Sequence, residues 1–151
     1  MNFLVQPAKL KFPFIKVEYR RSRIEMDAPV LPYWEKSKEN LLVAEEAKRT
    51  GSYNAAASRY YYALVLAGLA LLERENIFYE WTNHETFIND TGYLLASKHF
   101  GERADIVDAL EKALKFRIRA DYEPFPVIRR HLDIAITACS PVLEALEIEL
   151  K

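Results

Sequence analysis

The stretch ALKFRIRADYEP, Ala113 to Pro124, places charge where a helix should be adding core. On a 3.6-residue period Ile106, Leu110, Ala113, Leu114 and Arg117 share one face, whereas Asp108, Lys112, Lys115 and Arg119 share another. Arg117 is therefore expected to point inward or along a seam, and Arg119 to point at solvent. Asp121 stands one turn beyond Arg117, within reach of an ion pair if the helix extends that far. A second arginine, Arg59, opens a long apolar run on the same face as Tyr62, Ala63 and Leu66. Buried charges need partners, because desolvating an unpaired ion is costly. Arg59, Tyr62, Arg117, Asp121 and Tyr122 are accordingly expected to form one polar cluster. Two arginines among tyrosines suit a phosphate and a stacked base. An ion pair that only fixes a helix end is the other reading.

Other chemistries lack their residues. The three histidines, His84, His99 and His131, stand in no Glu-x-x-His or His-x-x-x-His pairing, so a carboxylate-bridged metal site in a helical bundle is not expected. His84 falls at a helix start, where capping or exposure is the ordinary role. His131 borders an apolar stripe and reads as a half-buried packing residue. There is no glycine-rich phosphate loop and no Gly-x-Ser-x-Gly elbow. No cofactor or metal is implied. The one cysteine, Cys139, allows no internal disulfide, and its place on an apolar helical stripe makes it a small buried hydrophobe rather than a nucleophile.

The elements that must hold these residues are helices. Four glycines in 151 residues, with long stretches free of proline, leave few breaks. From Pro32 the pattern is helical, with Trp34, Leu41, Leu42 and Ala44 apolar and Gly51 as the stop. Ser52 is placed to cap a second helix whose middle is apolar all round, which marks it as the central, most buried one. Thr82 or Asn83 is placed to cap a third helix through His84, Phe87, Ile88, Leu94 and Leu95, with Gly92 a weak point and Gly101 the close. A fourth helix spans about residues 102–119. A fifth segment, 127–150, carries Ile128, Leu132, Ala135, Cys139, Val142 and Leu146 on one face, and Pro141 should kink or split it. The expected fold is all-α: an antiparallel up-and-down bundle of four to five helices over residues 32–151. Residues 1–31 differ. LKFPFIKVEY alternates apolar and polar around Pro13, and basic residues prevail from Lys9 to Arg23, so an extended basic arm is expected there.

Bulk properties exclude little. Half of the chain is hydrophobic and 28 % charged, with a net charge of −1, which is the balance of an ordinary folded domain. The longest uncharged run, Tyr60 to Leu72, is shorter than the roughly 20 apolar residues of a bilayer crossing. The start MNFLVQPAK has no basic segment ahead of an apolar one. A cytoplasmic protein without a membrane partner is the expectation.

Two motifs carry a resemblance. TGSYNAAASRYYYALVLAGLALLE, with Arg59 and Tyr61-Tyr62-Ala63, resembles the second helix of the HEPN superfamily. ALKFRIRADYEP resembles the fourth helix of the branch that reads Arg-x-x-Ala-Asp-Tyr, here Arg117, Ala120, Asp121 and Tyr122. The resemblance covers about residues 33–150. It implies a helical bundle that forms a homodimer around its polar helix, binds nucleotides or RNA, and is often partnered with a minimal nucleotidyltransferase in toxin–antitoxin systems. It also implies that catalytic members are metal-independent ribonucleases with a histidine four to six residues after the arginine. Here positions 121 to 123 are Asp121, Tyr122 and Glu123. The expectation is therefore a binding module with little or no nuclease activity. Two alternatives stand beside it: a ribonuclease toxin in which Arg117 is catalytic and Tyr122 or His131 moves the proton, and a purely structural dimerisation bundle.

Overall fold

In a computed structural model, which describes residues 30–77 and 84–151, five helices account for most of the described chain. They are α1 (Val30–Arg49), α2 (Tyr53–Arg74), α3 (His84–Ser97), α4 (Arg103–Tyr122) and α5 (Arg129–Leu150). The expected arm lies outside the described residues except for positions 30 and 31, which already belong to α1. The capping roles expected of Thr82 and Asn83 lie outside them as well.

The apolar run of α2 has the predicted consequence: from Ala63 to Leu72 every residue is buried, and the helix packs against each of the other four. By length and composition α2 could cross a bilayer, but its apolar surface is enclosed by its neighbours. The direction of each neighbour follows from paired residues. Ser37 and Asn40 of α1 reach Ala63 and Arg59, and Ser58 and Tyr62 of α2 reach Asp121 and Arg117, so α1 and α4 both run antiparallel to α2. Phe116 and Ala109 of α4 meet His131 and Cys139, which sets α5 antiparallel to α4. The pairs Tyr61–His84 and Glu75–Lys98 run in step, so α3 lies along α2 in the same direction. The bundle thus alternates at every connection except the one from α2 to α3.

Three helix ends use the same device. At Gly51 (φ 81°) the chain turns left-handed, and Ser52 N–H returns to the Ala47 carbonyl at 2.8 Å. Asn76 (φ 61°) closes α2 and His99 (φ 65°) closes α3 in the same way, with Ile77 N–H on Leu72 and Phe100 N–H on Leu95. His99, not Gly101, is therefore the stop after α3. Ser52 occupies the N-cap of α2, but its hydroxyl makes no capping bond.

Further local corrections concern faces. On α1 the seam toward α2 includes Trp34, Ser37, Leu41 and Ala44; Leu42 is exposed, and the buried Ser37 hydroxyl donates to the Ala63 carbonyl at 2.6 Å. Ile128 is exposed at the N-cap of α5 rather than buried on its stripe. Pro141 does not split α5, which continues unbroken to Leu150. Cys139 is fully buried; its Sγ lies 3.0 Å from the Ala109 carbonyl, and burial pushes the thiol up to about 12, which suits a packing residue.

Gly92 is no break. A Cβ there would lie 2.7 Å from Val107 Cγ2 of α4, so glycine permits α3 and α4 to approach. Gly68 does the same between α2 and α3, where a Cβ would meet the Phe87 ring at 2.6 Å. Phe87 is fully buried and has nowhere to swing. Alanine at position 68 gains about 1 kcal/mol of helix propensity, but overpacking a rigid contact costs about 1–3 kcal/mol. Gly68→Ala is expected to lower stability by about 1 kcal/mol in urea unfolding, with part recovered by adding Phe87→Leu. A variant more stable than the parent would show that α3 shifts freely.

Candidate functional site

The polar cluster forms where the N-terminal half of α2 meets the last turns of α4. The expected face of α4 is the observed one: Ile106, Leu110, Ala113, Leu114 and Arg117 are all buried. The helix runs to Tyr122, so Asp121 stands in its final turn and its Oδ2 lies 2.9 Å from Arg117 Nε. Arg117 is 5 % exposed. Its Nη2 donates to the Tyr62 hydroxyl at 2.7 Å, and its guanidinium lies 5.3 Å from the Tyr62 ring and 5.2 Å from the Tyr122 ring. Ser58, which the periodicity did not single out, donates to Asp121 Oδ2 at 3.3 Å. Arg117 Nη1 is enclosed and has no hydrogen-bond acceptor among the described residues. A buried donor left open in this way is costly and calls for an explanation.

Four of the five expected members come together: Tyr62, Arg117, Asp121 and Tyr122. Arg59 does not join them. It is exposed, and its Nη1 donates to Asn40 Oδ1 of α1 at 3.4 Å. The α2 face that carries Arg59 looks toward α1 rather than α4, and a single helical wheel does not say which neighbour covers which edge. Arg119 is half-buried rather than solvated, and its Nε is enclosed without an acceptor among the described residues.

Behind the cluster lies a histidine that the spacing did not connect to it. His84, at the first turn of α3, is 3 % exposed, so a surface role does not describe it. Its Nδ1 is 2.7 Å from the Tyr61 hydroxyl, and Tyr61 packs edge-on against Tyr62. Burial, and then the positive charge of Arg117, lowers the His84 pKa to about 3. Burial holds the Tyr61 phenol well above its ordinary pKa, so the phenol keeps its proton and shares a hydrogen bond with a neutral ring. His131 sits elsewhere: half-buried as expected, it stacks on Phe116 at 5.1 Å, and Ile128 N–H donates to its Nδ1 at 3.3 Å. Among the described residues no three His, Cys, Asp or Glu side chains are grouped to hold a metal ion.

These arrangements sit inside a recognisable domain, since the family model of the HEPN domain matches residues 31–149. The chain belongs to the HEPN family. At the level of that family it is a nucleotide- and RNA-related helical module. No curated protein and no solved structure matches the chain. In this HEPN domain the arginine of α4 keeps an aspartate and two tyrosines around it, and the imidazole that lies behind it is held neutral.

Proposed function

We propose that this HEPN domain binds a nucleotide, free or within RNA, at the Tyr62–Arg117–Asp121–Tyr122 cluster. In this reading it works as a cytoplasmic homodimer, partners a minimal nucleotidyltransferase in a toxin–antitoxin-type system, and has little or no nuclease activity of its own. The observation that carries the binding reading is the open donor on Arg117 Nη1 beside a reachable rim. Asp121 is 30 % exposed at its side chain and Tyr122 is 51 % exposed. Tyr122 lays its ring on Arg117 and is half-exposed, an aromatic surface of the kind on which a base stacks. Displacing Tyr122 slightly exposes a guanidinium already oriented by Tyr62, ready for a phosphate oxygen.

The same geometry argues against cleavage. Phosphodiester hydrolysis needs a group that gives or takes a proton at neutral pH. His84 is the imidazole behind Arg117, and with a pKa of about 3 it is neither a useful acid nor an effective base. His131 is engaged with Phe116 and has Arg119, Arg130 and Lys115 as its charged neighbours, not Arg117.

Titration calorimetry with ATP as the probe tests the reading. The parent protein is expected to bind. Tyr122→Ala, a change at a half-exposed position, is expected to weaken binding by about tenfold or more, from the roughly 1–3 kcal/mol of a base–aromatic stack. Tyr62→Phe, which removes the hydroxyl that orients Arg117, is expected to weaken it as well. Unchanged affinity in both variants would leave the cluster as a structural ion pair.

A further inference from the structure

A second basic feature lies on the other side of α4. An open groove of about 650 Å³ runs between α4 and α5, lined by Lys112, Arg129, Arg130, Asp133, Ile134 and Thr137 among others. Along the same side of α4, Lys112, Lys115 and Arg119 recur at helical spacing over about 10 Å, at 1.5 Å per residue. The carboxylates near the groove are largely taken. Asp133 pairs with Lys48 at 3.0 Å and lies 3.9 Å from Arg129, and Asp108 pairs with Lys112 at 2.8 Å. Glu111, one turn before Lys115, and Glu123, one turn after Arg119, are the remaining acids of this stretch. Lys115, Arg119 and Arg130 have no ion pair among the described residues, so the surface keeps a positive excess on a chain whose net charge is −1.

Two observations show that these cations converge on one place and that stability alone does not account for them. His131, stacked on Phe116, has its pKa lowered by burial and then by Arg119, Arg130 and Lys115, so cations of both helices surround one imidazole. Arg129 and Arg130 also stand in the first turn of α5, which holds no acidic residue. The helix dipole favours acids there and opposes these arginines.

We propose that the α4–α5 groove, lined by Lys112, Arg129 and Arg130 and continued along α4 by Lys115 and Arg119, binds the phosphodiester backbone of a single-stranded RNA. The span of the α4 cations exceeds one phosphate group and fits successive phosphates of a strand. The choice of RNA over another polyanion rests on the nucleotide reading above; the groove itself does not involve Arg117. A strand lying here passes the α4–α5 connection, where the exposed Phe125 offers a ring to a base.

Fluorescence anisotropy with a labelled twelve-residue oligouridine, on the full chain and across 50–200 mM KCl, tests it. Lys115→Glu/Arg130→Glu is expected to weaken binding at least tenfold at low salt. It should also flatten the slope of log K against log salt by about 1 to 1.5, the share of two lost phosphate contacts. Lys115→Gln/Arg130→Gln should have a smaller effect in the same direction. Both sites are exposed, and unchanged circular dichroism verifies folding. The His131 pKa, followed by NMR, should rise when the strand is bound, because phosphates offset the surrounding cations. Salt-dependent binding that ignores both variants, or a His131 pKa that does not move, would overturn the groove. So would tighter binding of polyglutamate than of oligouridine. If oligouridine fails to bind while ATP binding still depends on Tyr122, the groove falls and the cluster stands.

Discussion

Asp121→Ala is expected to lower the stability of the domain by about 3 kcal/mol, the cost of stranding a buried charge. Arg117 is 5 % exposed, and Asp121 is the only carboxylate paired with it among the described residues. Without that carboxylate the guanidinium keeps one hydrogen bond, to Tyr62, and two ring faces. Neither supplies a compensating negative charge. Position bears on the estimate too. A carboxylate in the last turn of a helix opposes the dipole, so removing it returns a few tenths of a kcal/mol. Partial exposure of Asp121 lets water reach the rim, which also trims the loss. The double variant Arg117→Met/Asp121→Ala removes both charges and keeps an apolar side chain between Tyr62 and Tyr122. It should be more stable than Asp121→Ala alone and come within about 1 kcal/mol of the parent, since buried pairs are often replaceable as pairs. Urea denaturation of the four proteins completes the cycle. A single-variant loss below about 1 kcal/mol would mean that Arg117 is hydrated without Asp121, and that the ion pair counts for no more than one at the surface.

This pair was legible from the chain because both of its determinants are local. The stripe Ile106, Leu110, Ala113, Leu114, Arg117 shows its period in sequence, and the i+4 relation to Asp121 needs only that the helix continue. Gly51 as a stop is equally local, since a left-handed turn is easiest for glycine. What was not legible depends on neighbours. Arg59 and Tyr62 share a broad face of α2, and α1 claims one edge while α4 claims the other. Gly92 looks like a weak point in a pattern and Gly68 gives no signal, yet each marks a close helix crossing whose partner is on another helix. Asn76 and His99 adopt the left-handed conformation with no glycine to signal it.

The second pocket of chemistry, Tyr61 with His84, was hidden for a related reason. Its two residues are 23 positions apart, and they meet only because α3 lies along α2 in the same direction. A histidine at a helix start gives no sign that it will be sealed. Its burial has a consequence that can be measured without any ligand.

Acidification between pH 7 and pH 5 is expected to destabilise the domain through His84 alone by about 2 kcal/mol. The sign follows from where the proton binds. In the folded chain the His84 pKa is lowered to about 3, first by burial and then by Arg117. In the unfolded chain it returns to about 6.5. Above that value both states are neutral at this site, and stability is at its full level. As pH falls below it, the unfolded chain takes up a proton that the folded chain refuses. Stability then declines by up to about 1.4 kcal/mol per pH unit until the folded pKa is approached. Exposed carboxylates titrate mostly below this window, so the interval from pH 7 to 5 isolates histidines. His131 also has a lowered pKa, but it is only half-buried and its share is smaller than that of His84. His84→Gln keeps a hydrogen-bonding partner for the Tyr61 hydroxyl and removes the titrating ring. It should lower stability at pH 7 but flatten the decline toward pH 5, whereas His131→Gln should leave the slope nearly as it is. Parallel pH profiles for the parent and His84→Gln would place the folded pKa near its ordinary value. An imidazole able to take a proton behind Arg117 would then exist near neutral pH, and a part for it in cleavage would return.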